Sequence, residues 1–327
     1  MKRREFITLL GTTAAWPLAA GAQQGERVRR IGVLAHLAET DPEMVKRVAL
    51  FRQELENLGW LQGRNVQIDI RFAAAAIQAP IFAQELVALK PDVILGHTVA
   101  IVAALKRETQ TIPIVFADVS DPIGAGFVVS LARPGGNLTG FMTYEASIAG
   151  KWLTMLKEIS PSLTRAAVLG NPKTSNYDYY LRPAAALASS LGIELLPYPV
   201  EKATDIERSI DLFARVPNGG LVVPPDPTTA VHREVIIASA ARHRLPAVYP
   251  LRYFVVAGGL MSYGTDRVEA MRPAASYVDR ILRGANPGDL PVQAPVKFET
   301  VLNLKTAKEL SFEVPPSLLV RADEVIE

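Results

Sequence analysis

The fold of this chain is decided by residues 93–117, VILGHTVAIVAALKRETQTIPIVFA. Residues 93–96 form a short apolar run and residues 112–117 form a second one, as is typical of strands that are buried on both faces. Residues 98–109 lie between these runs and are numerous enough to form a helix that connects parallel strands. The order strand, helix, strand therefore predicts a parallel sheet that is covered by helices on both faces.

The same order extends towards the N-terminus. Residues 31–34 are a further apolar run. Residues 41–43, Asp-Pro-Glu, have the pattern of an N-cap, a proline at the first helical position and an acid in the first turn. The helix that they begin is expected to end near Gly59, because glycine favours the left-handed conformation found just after many helices. Residues 66–72 alternate between apolar and polar side chains, which predicts a half-buried strand.

After a turn-rich break at residues 133–137, the order starts again. Strands are predicted at residues 166–170, 193–196, 221–223 and 247–249, and helices at residues 151–160, 176–190 and 231–243. Residues 204–207, Thr-Asp-Ile-Glu, have the spacing of a capping box at the start of one more helix. Two half-chains of matching order predict an α/β protein with two similar, doubly wound parallel-sheet lobes.

The first 22 residues have the pattern of a twin-arginine-type signal peptide. Arg3 and Arg4 precede an apolar run at residues 8–18, and residues 20–22, Ala-Gly-Ala, offer small side chains for cleavage by a signal peptidase. The apolar run is too short to span a bilayer, which takes about 20 apolar residues. We therefore expect a mature protein that begins near Gln23, is soluble and lies in the periplasm. The alternative is that this segment is a hydrophobic helix of the fold itself.

Charge and cysteine content exclude several classes of function. The whole chain has 35 basic and 33 acidic residues, and removal of the signal peptide, with its three basic residues and one acidic residue, leaves 32 of each. Such a neutral chain has no net field that attracts nucleic acid or an anionic membrane surface. The absence of cysteine excludes thiol catalysis, cysteine-bound metals, disulfides and a lipid anchor at the cleavage site.

Candidate ligand-binding residues follow from a general property of open parallel sheets. Ligands bind beyond the carboxyl ends of the strands, where loops and helix N-termini converge. The side chains at these ends that could contact a ligand are His36, His97, Thr98, Asp118, Ser120 and Asp121 in the first half, and Tyr144, Asn171, Asp226, Tyr249 and Tyr263 in the second. We expect the loops that carry them to face one cleft.

Four of these residues have the clearest chemistry. Asp226 lies in a Pro-Pro-Asp-Pro segment, which could aim its carboxylate at a ligand amine. Thr98 opens a helix, whose free N–H groups favour a carboxylate or phosphate. A turn or capping role would explain either residue equally well. For His36 and His97, hydrogen bonding to a ligand or a plain loop role is favoured over metal binding.

Two segments resemble a known family. Residues 112–141, IPIVFADVSDPIGAGFVVSLARPGGNLTGF, and residues 301–327, VLNLKTAKELSFEVPPSLLVRADEVIE, closely resemble the solute-binding proteins of ABC transporters that include tryptophan and phenylalanine binders. The resemblance covers essentially the whole chain. It implies the type I periplasmic binding protein fold, in which three hinge crossovers join two lobes that close on a ligand. On that pattern the N-terminal lobe comprises residues 28–141 and 264–292, and the C-terminal lobe comprises residues 142–263 and 293–327.

The resemblance also implies a function. We expect a periplasmic receptor of an ABC importer, which binds a small organic solute and delivers it to a permease in the inner membrane. The implied solute is an amino acid or a related carboxylate. No cofactor or metal is expected, nor is nucleic-acid binding or direct insertion into the membrane, and the protein is expected to be a monomer.

Two other functions stay open. An exported hydrolase or isomerase would need a nucleophile with a base, or a metal. The sequence has no Gly-x-Ser-x-Gly, phosphate-loop or His-Glu-x-x-His motif, so we expect that the protein is not an enzyme. A sensor module would bind the same ligand but dock to a membrane receptor, and the sequence alone does not distinguish it from the receptor of an importer.

Overall fold

The structure, a computed structural model, describes residues 27–75 and 77–327. The predicted signal peptide at residues 1–22 lies outside the described residues. Two mostly parallel sheets form the frame of the molecule, one of five strands and one of seven. None of the described helices is long and apolar enough to cross a membrane.

The five-stranded sheet is built from the first part of the chain. Its elements are β1 (Arg29–Ala35), α1 (Pro42–Asn57), β2 (Val66–Phe72), α2 (Gln78–Ala88), β3 (Val93–His97), α3 (Val99–Glu108), β4 (Ile114–Val119) and β5 (Leu138–Met142). The strand order is β2-β1-β3-β4-β5, and every pair is parallel, as the sequence predicts. The Asp41 carboxylate accepts the N–H of Glu43 at 2.9 Å, so α1 begins at the predicted N-cap.

The seven-stranded sheet is built from the rest of the chain. The elements up to the next change of sheet are α4 (Ile148–Ile159), β6 (Arg165–Gly170), α5 (Tyr177–Ser190), β7 (Glu194–Pro199), α6 (Ala203–Phe213), β8 (Gly219–Val222), α7 (Pro227–Val231), α8 (Arg233–Arg242), β9 (Ala247–Tyr249), α9 (Arg252–Val256) and β10 (Met261–Gly264). The remaining elements are α10 (Met271–Leu282), β11 (Glu299–Asn303), α11 (Leu304–Glu309), α12 (Pro316–Val320) and β12 (Glu324–Ile326). The strand order is β12-β11-β10-β9-β8-β6-β7.

Helix α10 belongs to the five-stranded sheet although β10 and β11 belong to the other. It packs against α1, and Val278 and Leu282 share one buried cluster with Phe51 and Leu55. We call the five-stranded sheet with α1, α2, α3 and α10 the first lobe, and the seven-stranded sheet with the other helices the second lobe. The chain therefore crosses between lobes three times, after β5, after β10 and before β11.

The second sheet is parallel, as predicted, except at one pair, since β10 and β11 are antiparallel. The chain leaves the second lobe at the carboxyl end of β10 and returns to the same end after α10. Strand β11 consequently runs away from that edge, opposite to β10.

One local prediction in the second lobe is wrong. Helix α6 begins at Ala203, before the predicted capping box at residues 204–207, and no side chain caps it. The helix predicted at residues 231–243 is α8, and the short helix α7 precedes it. In α6 the buried stripe of Ile206, Ile210 and Phe213 fixes the helix against the sheet, so its start does not depend on a cap.

The three crossings lie side by side. The Gln293 N–H donates to the Gly140 carbonyl at 3.0 Å, and the Met142 N–H donates to the Gln293 carbonyl at 2.8 Å. The Tyr144 hydroxyl donates to the Pro250 carbonyl at 2.6 Å and accepts the Thr265 N–H at 3.1 Å. Hydrogen bonds therefore join the first crossing to both others.

Gly140, just before the first crossing, is a position that leaves no space for a side chain. Its φ is +151°, and a Cβ built there would lie 2.0 Å from the Phe116 carbonyl oxygen on β4. We expect Gly140→Ala to lower the free energy of unfolding by about 2 kcal/mol or more, because backbone rather than a flexible side chain is in the way. Urea denaturation checks this.

Gly136→Ala is the matched control for Gly140→Ala. Gly136 lies four residues earlier, and a Cβ there meets no atom of the described residues within 4 Å. We expect its unfolding curve to match that of the wild type. Equal unfolding free energies for the two variants would contradict this prediction and show that the backbone around Gly140 shifts to accommodate a Cβ at little cost.

Candidate functional site

A cavity lies between the carboxyl ends of the two sheets. The space between its wall atoms is about 430 Å³ when open solvent is counted, whereas the room for the centre of a water molecule is only about 20 Å³. Polar residues of its wall are His36, Thr98, Asp118 and Ser120 from the first lobe, Thr174, Ser175, Asp226 and Thr229 from the second, and Arg267 from the second crossing. Five of the eleven predicted site residues, His36, Thr98, Asp118, Ser120 and Asp226, therefore share one enclosed space.

Asp118, at the end of β4, holds two arginines beside this cavity. Its Oδ2 accepts from Arg47 Nη1 at 2.9 Å, and its Oδ1 lies 3.1 Å from Arg267 Nη1. All three side chains are buried, with at most 7% of any of them exposed. Burial by itself would raise the pKa of Asp118, but the guanidinium groups of Arg267 and Arg47 hold it well below its ordinary value. Asp118 is therefore a carboxylate.

Arg267 has more donors than the protein uses. Its Nη1 contacts Asp118, whereas its Nε and Nη2 are buried and have no hydrogen-bond partner among the described residues. The guanidinium carbon lies 5.8 Å from the centre of the Tyr144 ring, a cation–π distance. Buried donors in proteins are nearly always paired, so these two nitrogens are candidates for hydrogen bonds to a ligand.

The histidines of the site are neutral. Burial, together with the positive charge of Arg47, lowers the pKa of His36 well below its ordinary value. Burial lowers the pKa of His97 to about 4. His36 lines the cavity and His97 lies behind it, with ring centres 6.0 Å apart. His36 Nδ1 and both ring nitrogens of His97 have no hydrogen-bond partner within the described part of the chain.

His36, His97 and Asp118 bring ligand atoms within 4.8 Å of one another, the spacing of a metal site. The chemistry of the set is unfavourable for a cation, however. Both carboxylate oxygens of Asp118 already contact guanidinium groups, and a metal ion would lie next to Arg47 and Arg267. The arrangement suits an anionic or polar ligand better.

Thr98 does not cap the helix that it precedes. Helix α3 begins at Val99, and Thr98 has a φ of +68° with no capping hydrogen bond from its side chain. Its Oγ1 is buried without a partner among the described residues. The capping interpretation of Thr98 is therefore wrong, and the hydroxyl is free to contact a ligand.

Asp226 does act as an N-cap. Its Oδ1 accepts the Thr229 N–H at 3.0 Å at the start of α7, and its Oδ2 accepts from the Thr174 hydroxyl at 2.8 Å. Burial raises the pKa of Asp226. Asn171 stands behind this pair and donates to the Thr228 hydroxyl at 2.9 Å. Each Asp226 oxygen keeps a second lone pair, which a ligand donor could use.

The lobes are in contact around the cavity. The Tyr180 hydroxyl donates to Ser120 Oγ at 2.8 Å, and Asn176 donates to Asp121 at 3.0 Å. An ion pair of 3.0 Å joins Arg233 of the second lobe to the Asp41 carboxylate of the first. Asp121 thus contacts the opposite lobe outside the cavity.

The three predicted tyrosines do not line the cavity. Tyr144 is buried in the second lobe and holds the crossings together. Tyr249 is buried and stacks on Phe254, with ring centres 5.0 Å apart. Tyr263 stacks on Phe298 at 5.5 Å. Tyr253, which the sequence did not single out, lines the cavity instead.

Two important residues of the cavity wall, Arg267 and Thr174, were not predicted from the sequence. Arg267 follows β10 by three residues, so the rule that ligands bind at strand ends could have selected it. Thr174 lies in the loop between β6 and α5, three residues beyond the predicted Asn171.

The comparison with family models decides the identity of the fold. Residues 30–326 match the model described as ABC transporter substrate binding protein. The chain belongs to this family. As an ABC transporter substrate binding protein, it shares the type I periplasmic binding architecture of two lobes joined by three crossings.

Individual relatives of this substrate binding protein agree with that assignment. It is 25% identical over 290 residues to a tyrosine-binding protein of Clostridioides difficile (strain R20291), across 88% of this chain and 82% of the relative. A crystal structure of a conserved domain protein from Vibrio cholerae has a TM-score of 0.85 and 27% identity, covering 91% of this chain and 100% of that one. A crystal structure of an ABC domain from Streptococcus pneumonia in complex with L-Trp has a TM-score of 0.83 and 24% identity, covering 91% of this chain and 99% of that one.

Proposed function

We propose that this protein is the periplasmic receptor of an ABC importer, with a signal peptide at residues 1–22, and that it binds an amino acid or a related carboxylate between its lobes. The lobes comprise residues 28–141 with 264–292, and 142–263 with 293–327. The receptor acts as a monomer without catalysis and delivers its solute to a permease in the inner membrane. The observation that carries the proposal is the cavity in which buried, unpaired polar groups of the chain converge.

The unpaired groups argue for a ligand. Leaving one buried donor or acceptor unsatisfied costs about 1 to 3 kcal/mol, so a set of them is retained where a ligand supplies the missing partners. Here the set includes Thr98 Oγ1, His36 Nδ1 and two nitrogens of Arg267. A small polar solute would satisfy several of them at once.

The charges of the wall argue for an amino acid. Positive charge lies at Arg267 of the second crossing, and negative charge lies at Asp226 of the second lobe. An α-amino acid has a carboxylate for the first and an ammonium for the second. The hydroxyls of Thr98 and Ser120 add donors near the carboxylate. Relatives whose names or structures refer to tyrosine and tryptophan support this class of solute.

The contacts between the lobes support a receptor that works by closing. The pairs Arg233–Asp41, Asn176–Asp121 and Tyr180–Ser120 all join one lobe to the other. A ligand that bridges the lobes stabilises this closed arrangement relative to an open one, and the permease can then recognise the loaded receptor.

Native mass spectrometry of freshly purified protein is the decisive experiment. We expect a retained mass that denaturation releases and that fragments as an amino acid or another carboxylate. Adding the identified compound to stripped protein at about 100 times its dissociation constant should stabilise the fold by about 2.7 kcal/mol.

The following result would contradict the proposed receptor function. If stripped protein shows no thermal stabilisation by any of the common amino acids or carboxylates, and fresh protein retains no compound, the proposal is wrong. Turnover of a retained compound would instead favour an exported enzyme.

A further inference from the structure

Arg267 is built into the cavity wall in an unusual way. It lies just after β10, and only 7% of its side chain is exposed. A guanidinium has five N–H donors in a planar fork. The Nη1 group contacts Asp118 at 3.1 Å, whereas the Nε and Nη2 groups on the other edge of the fork have no partner among the described residues.

The surroundings hold this guanidinium in one orientation. The Asp118 carboxylate fixes it on one side and is itself fixed by Arg47 Nη1 at 2.9 Å. The Tyr144 ring lies 5.8 Å from the guanidinium carbon, and the Tyr144 hydroxyl is hydrogen-bonded to two backbone groups. The unpaired edge is therefore preorganised and does not need to reorient on binding.

The charges around Arg267 balance one another, so its unpaired donors, rather than a net positive charge, favour an anionic partner. Arg47 and Arg267 share a single carboxylate, Asp118, and the second carboxylate near Arg47, Glu43, lies on α1 at 3.2 Å from its Nη2. His36 and His97 are neutral, so they neither add positive charge nor remove it. Arg267 has Asp118 as its counterion on the Nη1 side, and no acidic side chain of the described protein is hydrogen-bonded to its Nε or Nη2.

We propose that Arg267 is the carboxylate anchor of the solute: its Nε and Nη2 groups bind the two carboxylate oxygens side by side, while Asp118 and Arg47 position it. This inference rests on the proposed receptor function and assigns the group that holds the carboxylate of the solute. Two parallel N–H donors match a planar carboxylate bidentately. An amide, amine or sugar alcohol in the same place leaves a buried donor unpaired and is rejected.

The test compares acids with their uncharged counterparts on the wild-type protein. Calorimetry is run with L-tryptophan and L-tyrosine, then with L-tryptophanamide, L-tyrosinamide, tryptamine and tyramine. We expect an acid to bind and its amide and amine to bind about 30-fold more weakly or worse, the loss that follows when a buried charged partner is left unpaired. This arm requires no variant, so a folding defect cannot obscure it.

Variants then identify the residue. Arg267→Lys keeps a positive charge beside Asp118 but removes the fork, and we expect about 30-fold weaker binding of the acid. Arg165→Lys is the matched control: Arg165 is also a mostly buried arginine that contacts a carboxylate and an aromatic ring, those of Glu194 and Phe213, but it lies at the start of β6 and does not line the cavity. We expect Arg165→Lys to bind the acid with wild-type affinity once folding is verified by circular dichroism.

Each outcome has a distinct meaning. Wild-type affinity of Arg267→Lys, or equal affinity of an acid and its amide, overturns the anchor but leaves the receptor function intact. Retention of a neutral polyol by fresh protein, seen in native mass spectrometry, also overturns the carboxylate anchor and leaves the receptor function intact. If the wild type binds none of these acids and retains no carboxylate, the proposed amino-acid receptor and the anchor both fail.

Discussion

Asp118→Asn is expected to lower the free energy of unfolding at neutral pH by about 3 to 5 kcal/mol. The substitution keeps the shape of the side chain but removes the charge that two buried guanidinium groups share. The new amide also turns its NH₂ group towards Arg47 or Arg267, so two donors face each other. Urea denaturation followed by circular dichroism measures the change.

Asp121→Asn is the control for Asp118→Asn. Asp121 lies three residues later, is half-buried, and accepts from the Gly124 N–H at 2.8 Å and from Asn176 at 3.0 Å. An asparagine can still accept the Gly124 N–H with its Oδ1, and its NH₂ group can donate to the Asn176 Oδ1 when that amide flips. No buried cation depends on the charge. We expect a loss of less than about 1 kcal/mol. Similar losses for the two variants would show that the triad of Arg47, Asp118 and Arg267 adds nothing special to stability.

The pH dependence of the Asp118→Asn effect has a definite sign. The two guanidinium groups outweigh burial and hold the pKa of Asp118 well below that of an unfolded chain. The stabilisation is thus fully present above the unfolded pKa of about 4 and is lost as the pH falls through the folded value. We expect the gap between wild type and variant to be constant above about pH 5 and to narrow below about pH 4. A gap that stays constant into acid would mean that the lost stability does not come from the carboxylate charge.

Much of the fold could be predicted because its signals are local. The apolar runs at residues 93–96 and 112–117 became β3 and β4, and residues 41–43 begin α1 as predicted. The direction of β11 could not be predicted in this way, since it depends on where the chain re-enters the second lobe after α10. The absent cap of α6 shows the same limit, because packing of Phe213 and its neighbours fixes that helix.

Some of the side chains that line the cavity could be predicted from the sequence, and others could not. The rule of strand ends selected His36, Thr98, Asp118, Ser120 and Asp226, because loops at these ends must converge. It failed for Tyr249, which also ends a strand, because the face of the sheet to which a side chain points depends on register and packing.

The arginines show a second limit of the sequence. Arg47 is four residues after Glu43 on α1, which in sequence has the pattern of an exposed ion pair. Only the fold shows that it is buried against Asp118, 71 residues away. Arg267 reaches the same carboxylate through the second crossing, a path that no local pattern indicates.

Asp226→Asn is expected to weaken binding of an amino acid by more than about tenfold while leaving the fold intact. Asparagine is as good an N-cap as aspartate, so its Oδ1 can still accept the Thr229 N–H. The negative charge that would meet the ligand ammonium is lost. Substitution by alanine would mix this effect with the loss of the cap, which costs about 1 kcal/mol in stability. Calorimetry with the amino acid that the wild type retains measures the change.

Thr174→Val separates the charge of Asp226 from its orientation. The Thr174 hydroxyl donates to Asp226 Oδ2 at 2.8 Å, and valine removes that donor but keeps the shape and the carboxylate charge. If the charge is what binds the ammonium, Thr174→Val reduces affinity much less than Asp226→Asn does. Burial already raises the pKa of Asp226, and loss of the hydroxyl donor raises it further, so the Thr174→Val defect should grow as the pH falls. Wild-type affinity of Asp226→Asn would instead remove Asp226 from the ammonium contact and assign it to the cap of α7 alone.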